Sequence, residues 1–252
     1  FTVYGYMNRG QYEGRVALVL YQYIRAENRI EELVYIPVDE PYQTLKENIG
    51  EFAYVNSRDV FYFHMYQKIY SYDLITRKLS ELALDVDKDQ VVVLQDLKYV
   101  AWQDNPDPRL SENIYMMDME SGEIQTIHAI PGYNILLMDK IDSNIVYGFV
   151  KEKDIVVYED GRVVAPLSIV EIASVDKKVL KRYQEDGFYV SDLQVRDNVV
   201  ELFRVQKVNS DGKTSYTPAP EDYIMNQIRS EAPLLSVTTR VTKGALTELY
   251  LT

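Results

Sequence analysis

The sequence predicts an all-β domain, a β-propeller of about five four-stranded blades, with one short helix near residues 219–229. Three observations support this fold class. A strand-rich unit recurs every 40–45 residues or so, roughly the repeat length of propeller blades. The aromatic residues are 22 Tyr, 7 Phe and 1 Trp, and tyrosine favours half-buried strands. Segments with helical periodicity are few. The blade number rises to six or seven if further blades lie upstream of Phe1.

The recurring unit is clearest in three places. Each copy alternates apolar and mixed positions, has an acidic fifth residue, and turns into another strand; the copies are 69–73, 114–118 and 155–159. Their first residues lie 45 and 41 residues apart. A pair of strand-like segments precedes each copy. Four strands per unit is the pattern of a propeller blade, so three blades are predicted over 51–174.

Weaker units flank these three. Residues 20–30 contain a fainter copy, which predicts a first blade that is one strand short. Residues 179–216 form a fourth clear unit, in which an Asp-Gly step suits a hairpin turn. Two further strands are predicted over 234–240 and 245–251. We expect the tail to complete the first blade and close the ring.

Two segments favour helix. Residues 41–49 begin with Pro and end before Gly50, and they are predicted to form two helical turns. Residues 219–229 include Pro220 at the start and apolar side chains at 224, 225 and 228, which predicts the short helix named above. We expect this second helix to lie at the rim of the propeller or to mark an insertion.

Residues 113–122 read Asn-Ile-Tyr-Met-Met-Asp-Met-Glu-Ser-Gly. This segment resembles the TolB-like and WD40-like propeller repeat, N-I-Y-x-x-D-x-x-x-G. The resemblance covers roughly residues 51–165, with departures at Arg77, where the repeat has Gly, and at Gly161, where the turn is shortened. In overall texture the chain is also similar to uncharacterised cell-surface propellers of Gram-positive bacteria. The resemblance implies the fold, because such repeats occur in binders, scaffolds and enzymes alike.

Composition disfavours several functions. The net charge of −12 argues against binding to nucleic acid or to an anionic membrane surface, both of which attract basic patches. The absence of cysteine excludes disulfides, thiol nucleophiles and cysteine-ligated zinc. No apolar run is long enough to span a membrane. Because the chain begins in strand-like sequence without Met or a signal peptide, we expect one propeller domain, residues 1–252, trimmed from a longer exported or membrane-anchored chain.

Two loops are the best candidates for contact with a partner, because ligand contacts gather on loops held by a rigid scaffold. The first is the glycine-rich stretch 5–14, with Arg9 and Tyr12. Its glycines do not lead from a strand into a helix, so it does not predict a phosphate-binding loop. The second is 103–109, with Asp104 and Asp107, which is longer than a hairpin requires.

A run of alternate acids is the one candidate metal site. Asp85, Asp87 and Asp89 are spaced as in the first half of a calcium loop. Such a loop needs Gly at its sixth position and Glu at its twelfth, where this chain has Gln90 and Asp96. A solvated loop is therefore the main prediction, and calcium is the alternative.

The two histidines, His64 and His128, fall in or beside strands of different predicted blades. Neither lies in a His-x-His or His-Glu-x-x-His pattern, and zinc needs three or four converging ligands. Both are predicted to have structural or surface roles. Trp102 occupies a position where the repeat requires a core residue, so it is predicted to be buried.

These observations favour a non-enzymatic binding or scaffolding propeller at a bacterial cell surface, whose partner is a protein or a glycan. No catalytic residue and no cofactor is predicted, because no nucleophile elbow, Ser-His-Asp order or phosphate-binding loop is present. Two alternatives stay open. A propeller-type glycan-active hydrolase would use two carboxylates about 5–10 Å apart. A sensor or assembly module would act as part of a larger protein.

Overall fold

The structure is a computed structural model that describes residues 1–95, 98–210, 212–225, 237–241 and 247–251. Most of these residues lie in antiparallel strands, so the predicted all-β class is confirmed. Within the described ranges the one α-helix is α1, Tyr42–Asn48, which agrees with the helical turns predicted over 41–49. No helix in these ranges is long and apolar enough to cross a membrane.

Sheet 1 consists of three strands that pair in chain order: β1 Thr2–Tyr6, β2 Val16–Ile24 and β3 Arg29–Val38. The central strand is β2, and it is fully buried from Ala17 to Leu20. A strand that is covered on both faces has a continuous run of apolar residues, because neither face meets water. Sheet 1 has one strand fewer than the two sheets that follow, as the sequence predicts.

Sheets 2 and 3 are four-stranded meanders whose strands also pair in chain order. Sheet 2 comprises β4 Ile49–Val55, β5 Val60–Met65, β6 Lys68–Asp73 and β7 Lys78–Ala83. Sheet 3 comprises β8 Val92–Leu94, β9 Tyr99–Gln103, β10 Asn113–Asp118 and β11 Ile124–His128. The first two copies of the repeat fall on β6 and β10, the third strand of each sheet. The four-stranded unit is therefore confirmed in these two places.

The third predicted unit is arranged differently. It begins with β12 Asn134–Ile141 and β13 Asn144–Val150. The copy at 155–159 contributes only the two-residue strand β14, Val156–Val157, which forms a short hairpin with β15, Val163–Val164. β13 pairs instead with β16, Leu167–Ala173. The blade predicted here is therefore wrong in its last two strands.

Burial explains this exchange of partners. β16 is apolar and buried along nearly its whole length, so its pairing with β13 removes far more apolar surface from water than two-residue strands can. The segment that leads into the β14–β15 hairpin is instead bonded to residues 207 and 216. The buried carboxylate of Asp154 accepts a bond of 2.6 Å from Lys207 Nζ, and its backbone oxygen accepts one of 2.9 Å from the Tyr216 hydroxyl.

Sheet 4 continues from β16 with five further strands: β17 Val179–Tyr183, β18 Tyr189–Arg196, β19 Val199–Ser210, β20 Lys213–Pro218 and β21 Asp222–Met225. The strands predicted over 179–216 are confirmed. The helix predicted near 219–229 is wrong over β21, which pairs with β19. Ile224 is buried there while Tyr223 and Met225 are exposed, so the side chains follow the two-residue period of a strand. Residues 226–229 lie outside the described residues.

The tail of the chain forms a separate hairpin, β22 Val237–Val241 and β23 Thr247–Leu251. Both strands agree with the two predicted at this end, and the remainder of the predicted spans lies outside the described residues. Within the part of the chain that the structure describes, sheet 1 keeps its three strands. The predicted completion of the first blade by the tail is therefore not observed.

The four sheets stack face to face in chain order, and alternate side chains of a strand enter different cores. On β5, Phe61 and Phe63 pack against sheet 1, whereas Tyr62 packs toward sheet 3. On β9, Trp102 packs toward sheet 2 and Ala101 toward sheet 4. Trp102 is buried, as predicted. Successive meanders packed in this way have the arrangement of neighbouring propeller blades.

Strand connections alternate between two ends of this stack. We call one the loop end, which carries connections 7–15, 39–48, 66–67, 84–91, 104–112, 129–133 and 151–166. We call the other the turn end, which carries the connections 25–28, 56–59, 74–77, 119–123 and 142–143. At the turn end, Asn56 Nδ2 donates to the backbone oxygens of Met119 and Glu120 at 3.2 Å. These bonds fix sheets 2 and 3 to each other.

Candidate functional site

The loop end is continuous across sheets 2, 3 and 4 because the loops of these sheets hydrogen-bond to one another. The Val86 backbone donates to Gln67 O at 2.9 Å, and the Gln90 side chain donates to Pro106 O at 3.0 Å. Further along, backbone bonds join the 104–112 loop to the start of sheet 4. Every residue predicted to contact a partner or calcium lies in a loop of this end.

Gln103 fixes the 104–112 loop against sheet 4. Its side chain is buried, and Nε2 donates to Pro108 O at 2.8 Å and to Ile135 O at 3.0 Å. Its Oε1 accepts from Leu137 N at 3.0 Å. Because both ends of this buried amide are satisfied within the fold, the loop has one strongly preferred position.

Asp107 shapes the same loop. It caps the 3₁₀ turn Pro108–Leu110 by accepting a bond of 3.1 Å from the Arg109 backbone. The Arg109 guanidinium donates two further bonds to its carboxylate, at 2.7 and 2.8 Å. The guanidinium bond is the main cause that lowers the pKa of Asp107 below its ordinary value. Asp107 is therefore paired within the loop.

Asp104 begins a chain of hydrogen bonds that ends at His128. Its Oδ1 accepts from Glu112 N at 3.1 Å, and its Oδ2 accepts from Asn113 Nδ2 at 2.6 Å. The Oδ1 atom of Asn113 lies 2.7 Å from His128 Nδ1. Asn113 and His128 are partners in the register of β10 and β11, so the three side chains form one row across the loop end of sheet 3.

The chemistry of this row fixes the tautomer of His128. A carboxylate only accepts hydrogen bonds, so the amide nitrogen of Asn113 faces Asp104 and the amide oxygen faces the imidazole. Nδ1 of His128 therefore carries the ring proton and donates a hydrogen bond to Oδ1 of Asn113. Within the described residues, Nε2 of His128 has no hydrogen-bond partner. The row thus presents a fixed, free ring nitrogen.

His128 lines an open pocket of about 300 Å³ at the loop end. Glu112, Asn113 and Tyr133 line the same pocket, together with the 129–132 connection. Tyr133 is half-buried, and the Lys151 Nζ atom lies 4.9 Å from its ring centroid, a cation–π distance. The pocket therefore combines an oriented imidazole, a carboxylate and an aromatic ring beside an ammonium group.

The 7–15 loop uses its predicted contact residues differently. Tyr12 stacks on Tyr35 of sheet 1, with ring centroids 3.7 Å apart, and its hydroxyl donates to the Glu32 carboxylate at 2.7 Å. That bond is the main cause that raises the pKa of Tyr12. Arg9 is exposed in the same loop. Among the described residues, no hydrogen bond or ion pair joins this loop to Asp104 or to the other residues of the His128 pocket.

The three acids of the calcium alternative lie in the 84–91 connection. Asp87 caps the 3₁₀ turn Lys88–Gln90 by accepting a bond of 3.0 Å from the Asp89 backbone, and Asp85 has a left-handed backbone with φ 57°. In the ranges described above, no three His, Asp or Glu side chains are grouped as metal ligands. The geometry therefore adds no support to the calcium alternative.

His64 lies inside the fold rather than on this surface, with 1% of its area exposed. Its Nε2 donates to Val86 O at 2.8 Å, while its Nδ1 is buried without a partner. Burial is the main cause that lowers its pKa below the ordinary value of 6.5. The position of His64 is that of a structural residue.

The sequence predicts Asp104 as a contact residue and His128 as a structural or surface residue, and it does not predict Asn113 or Tyr133 as part of a site. A signal exists for Asn113. Counting outward from the Glu120-Ser121 step of the turn pairs Asn113 with His128, because residues equally distant from the centre of a hairpin turn face each other. Tyr133 has no such signal, because the 129–133 connection lies outside any ladder.

No protein-family model and no curated protein matches the chain. Among solved structures, it is similar to a post-proline cleaving enzyme from Rickettsia typhi, with 9% identity and a TM-score of 0.38 over 99% of this chain and 49% of that one. It is similar to TolB from Acinetobacter baumannii, with 13% identity and a TM-score of 0.29 over 81% of this chain and 51% of that one.

The β-propeller domain of the Trilobed protease from Pyrococcus furiosus is a third similar structure, with 13% identity and a TM-score of 0.32 over 65% of this chain and 51% of that one. The chain spans about half the length of each of these three structures. Similarity at this level does not indicate the activity, substrate or partner of this chain.

Proposed function

We propose that this chain is a non-enzymatic binding or scaffolding β-propeller of about five blades, which contacts a protein or a glycan through its loop end. The observation that carries this proposal is the hydrogen-bonded continuity of the loop end across sheets 2, 3 and 4. A surface whose loops are already ordered loses little conformational entropy when a partner binds.

The contrast between the two ends supports the choice of surface. At the turn end, the connections 56–59 and 119–123 are occupied with bonds between sheets 2 and 3. Apart from 66–67, the loop-end connections are at least as long as those of the turn end, and they carry Arg9, Asp89 and residues of the His128 pocket. Long loops positioned by a rigid scaffold are where binding residues usually lie.

Charge narrows the class of partner. The chain has a net charge of −12, and the 84–91 connection adds three aspartates to the loop end. A negative field of this kind slows the approach of anionic partners and favours neutral or basic ones. A protein or a neutral glycan fits this surface better than a nucleic acid does.

Placement at a bacterial cell surface is part of the proposal, and it rests on the texture shared with Gram-positive surface propellers. Protease treatment of intact source cells tests it. Loss of the protein from cells whose cytoplasmic markers survive supports surface display, and survival of the protein together with those markers contradicts it. The hydrolase and larger-assembly alternatives stay predictions.

A matched pair of charge-reversal variants tests the binding surface. Arg9→Glu with Asp89→Lys changes the loop end, and Arg25→Glu with Glu123→Lys makes the equivalent change at the turn end; all four side chains are exposed. We expect the loop-end variant to lose at least tenfold of the full chain's affinity for isolated cell-surface material, and the turn-end variant to keep it. Equal binding by both variants would overturn the proposal.

A further inference from the structure

We propose that the His128 pocket is a binding site for one or two units of a neutral glycan. This inference rests on the proposed binding function and names the ligand class of one part of the loop end. The pocket, of about 300 Å³, lies at the small end of the range of ligand sites. That size suits a short carbohydrate segment rather than a folded partner.

The polar groups of the pocket are oriented for hydroxyl groups. The row from Asp104 through Asn113 holds the imidazole of His128 by its Nδ1 and leaves Nε2 free to accept an O–H bond. Glu112 lines the same pocket and has an exposed carboxylate that can serve as a second acceptor, and its own backbone is anchored to Asp104. Sugar hydroxyls, which both donate and accept, match a pair of fixed acceptors of this kind.

The remaining walls are suited to the C–H face of a sugar ring. The Tyr133 ring and the 129–131 connection, Ala-Ile-Pro, supply the apolar part of the lining. A Cβ atom built on Gly132 would meet nothing within 4 Å, so the pocket mouth is open at that residue. Aromatic rings are large, rigid contact surfaces with little conformational entropy to lose.

The charges around the pocket favour a neutral ligand over an ion. Glu112 is the acid among the lining residues, and the nearby Asp104 carboxylate, outside the lining, is already engaged by Asn113 and by the Glu112 backbone. The ammonium group of Lys151 lies 4.9 Å from the Tyr133 ring centroid and opposes this one negative charge. One carboxylate and one ammonium near a single pocket give neither a cation nor an anion a net attraction.

Titration calorimetry of the full chain with maltotetraose, cellotetraose and chitotetraose tests the inference. Spermidine and trigalacturonate serve as the cationic and anionic comparison ligands. We expect at least one neutral tetrasaccharide to bind saturably, and neither ion to compete with it. If none of the three sugars binds, or if only an ion binds, the inference is wrong.

Variants then locate the site. We expect His128→Ala and Tyr133→Ala each to weaken sugar binding by about tenfold or more. His128→Gln places an amide oxygen near the former Nε2 position, so it should retain more affinity than His128→Ala. Asn113→Ala frees the ring from its positioning bond and should give an intermediate loss. Glu123→Gln, an exposed acid at the turn end, is the matched control and should leave binding unchanged.

These results separate the two proposals. Thermal unfolding of each variant shows whether the fold is retained. Sugar binding that is equal in His128→Ala and the unmodified chain would remove the ligand from this pocket. If no sugar binds while the loop-end variant still loses cell-surface binding, the glycan inference fails and the broader binding function stands.

Discussion

Acidification should weaken the fold through His64, because this residue is buried as a neutral imidazole. Its Nε2 donates to Val86 O, and its Nδ1 has no acceptor to which an added proton could bond. The charged groups that influence it most are Asp87 and Lys88 on the adjacent connection, and their effects oppose each other. Burial dominates, so the folded state holds the pKa of His64 below its ordinary value.

The sign and size of the effect follow from proton linkage. Above the unfolded pKa of about 6.5, both states have a neutral imidazole and the stability is fully present. Below it, the unfolded chain binds a proton that the folded chain rejects, so the free energy of unfolding falls with pH. At pH 5.5, one unit below the unfolded pKa, the loss can be at most about 1.4 kcal/mol.

Urea unfolding at about pH 7.5, 6.5 and 5.5 measures this loss. The 39 acidic residues also contribute to the pH dependence, so the informative quantity is the difference between the unmodified chain and His64→Gln. Glutamine keeps a donor near Val86 O and does not titrate, so this variant should lack the His64 part of the slope. His128→Gln, at an exposed site, is the matched control. Identical pH slopes for His64→Gln and the unmodified chain would refute the reasoning.

Three substitutions test other contacts, each by urea unfolding with the turn-end change Glu123→Gln as a neutral reference. Gly50→Ala places a Cβ 2.6 Å from the His64 ring and should cost about 1–3 kcal/mol; an unchanged midpoint would contradict that packing. Gln103→Ala removes the side-chain partner of the buried Ile135 O and of the part-buried Leu137 N, while Pro108 O keeps its bond from Ser111 N, so it should cost about 2 kcal/mol or more. Tyr147→Phe removes the hydroxyl that bonds to buried Glu171 at 2.7 Å and should cost about 1–2 kcal/mol.

The parts of the fold that sequence predicts are those whose strands pair with their nearest neighbours in the chain. β6 and β10 combine a two-residue period with adjacent turns, so local information determines both strand and partner. The pairing of β13 with β16 is not local in this sense. It skips the 155–159 copy because a more apolar segment follows it. The repeat motif alone does not predict which of the two segments, 155–159 or β16, pairs with β13.

The error at β21 has a related cause. Apolar residues at 224, 225 and 228 fit a helical period, and Pro220 suits a helix start. In the fold, β19 offers Asp222–Met225 a ladder partner, and the burial of Ile224 in sheet 4 stabilises that pairing. Tertiary context overrides a weak local preference in such short segments.

The candidate site was partly visible in the sequence. Loop length points to Asp104, but the sequence predicts only a structural or surface role for His128, and the connection between the two depends on Asn113 and on the register of two strands. The engagement of Tyr12 by sheet 1 and of Asp107 by its own loop could not be read from composition. Those contacts require the positions of Tyr35 and Arg109.

The tautomers of the two histidines test the account most directly, because the chain has only two. Long-range proton–nitrogen correlation spectra of labelled protein at about pH 8 distinguish a protonated ring nitrogen from a bare one. We predict opposite tautomers: His128 protonated at Nδ1 by its bond to Asn113, and His64 protonated at Nε2 by its bond to Val86 O. A proton on Nε2 of His128 would contradict the row of bonds on which the proposed site depends.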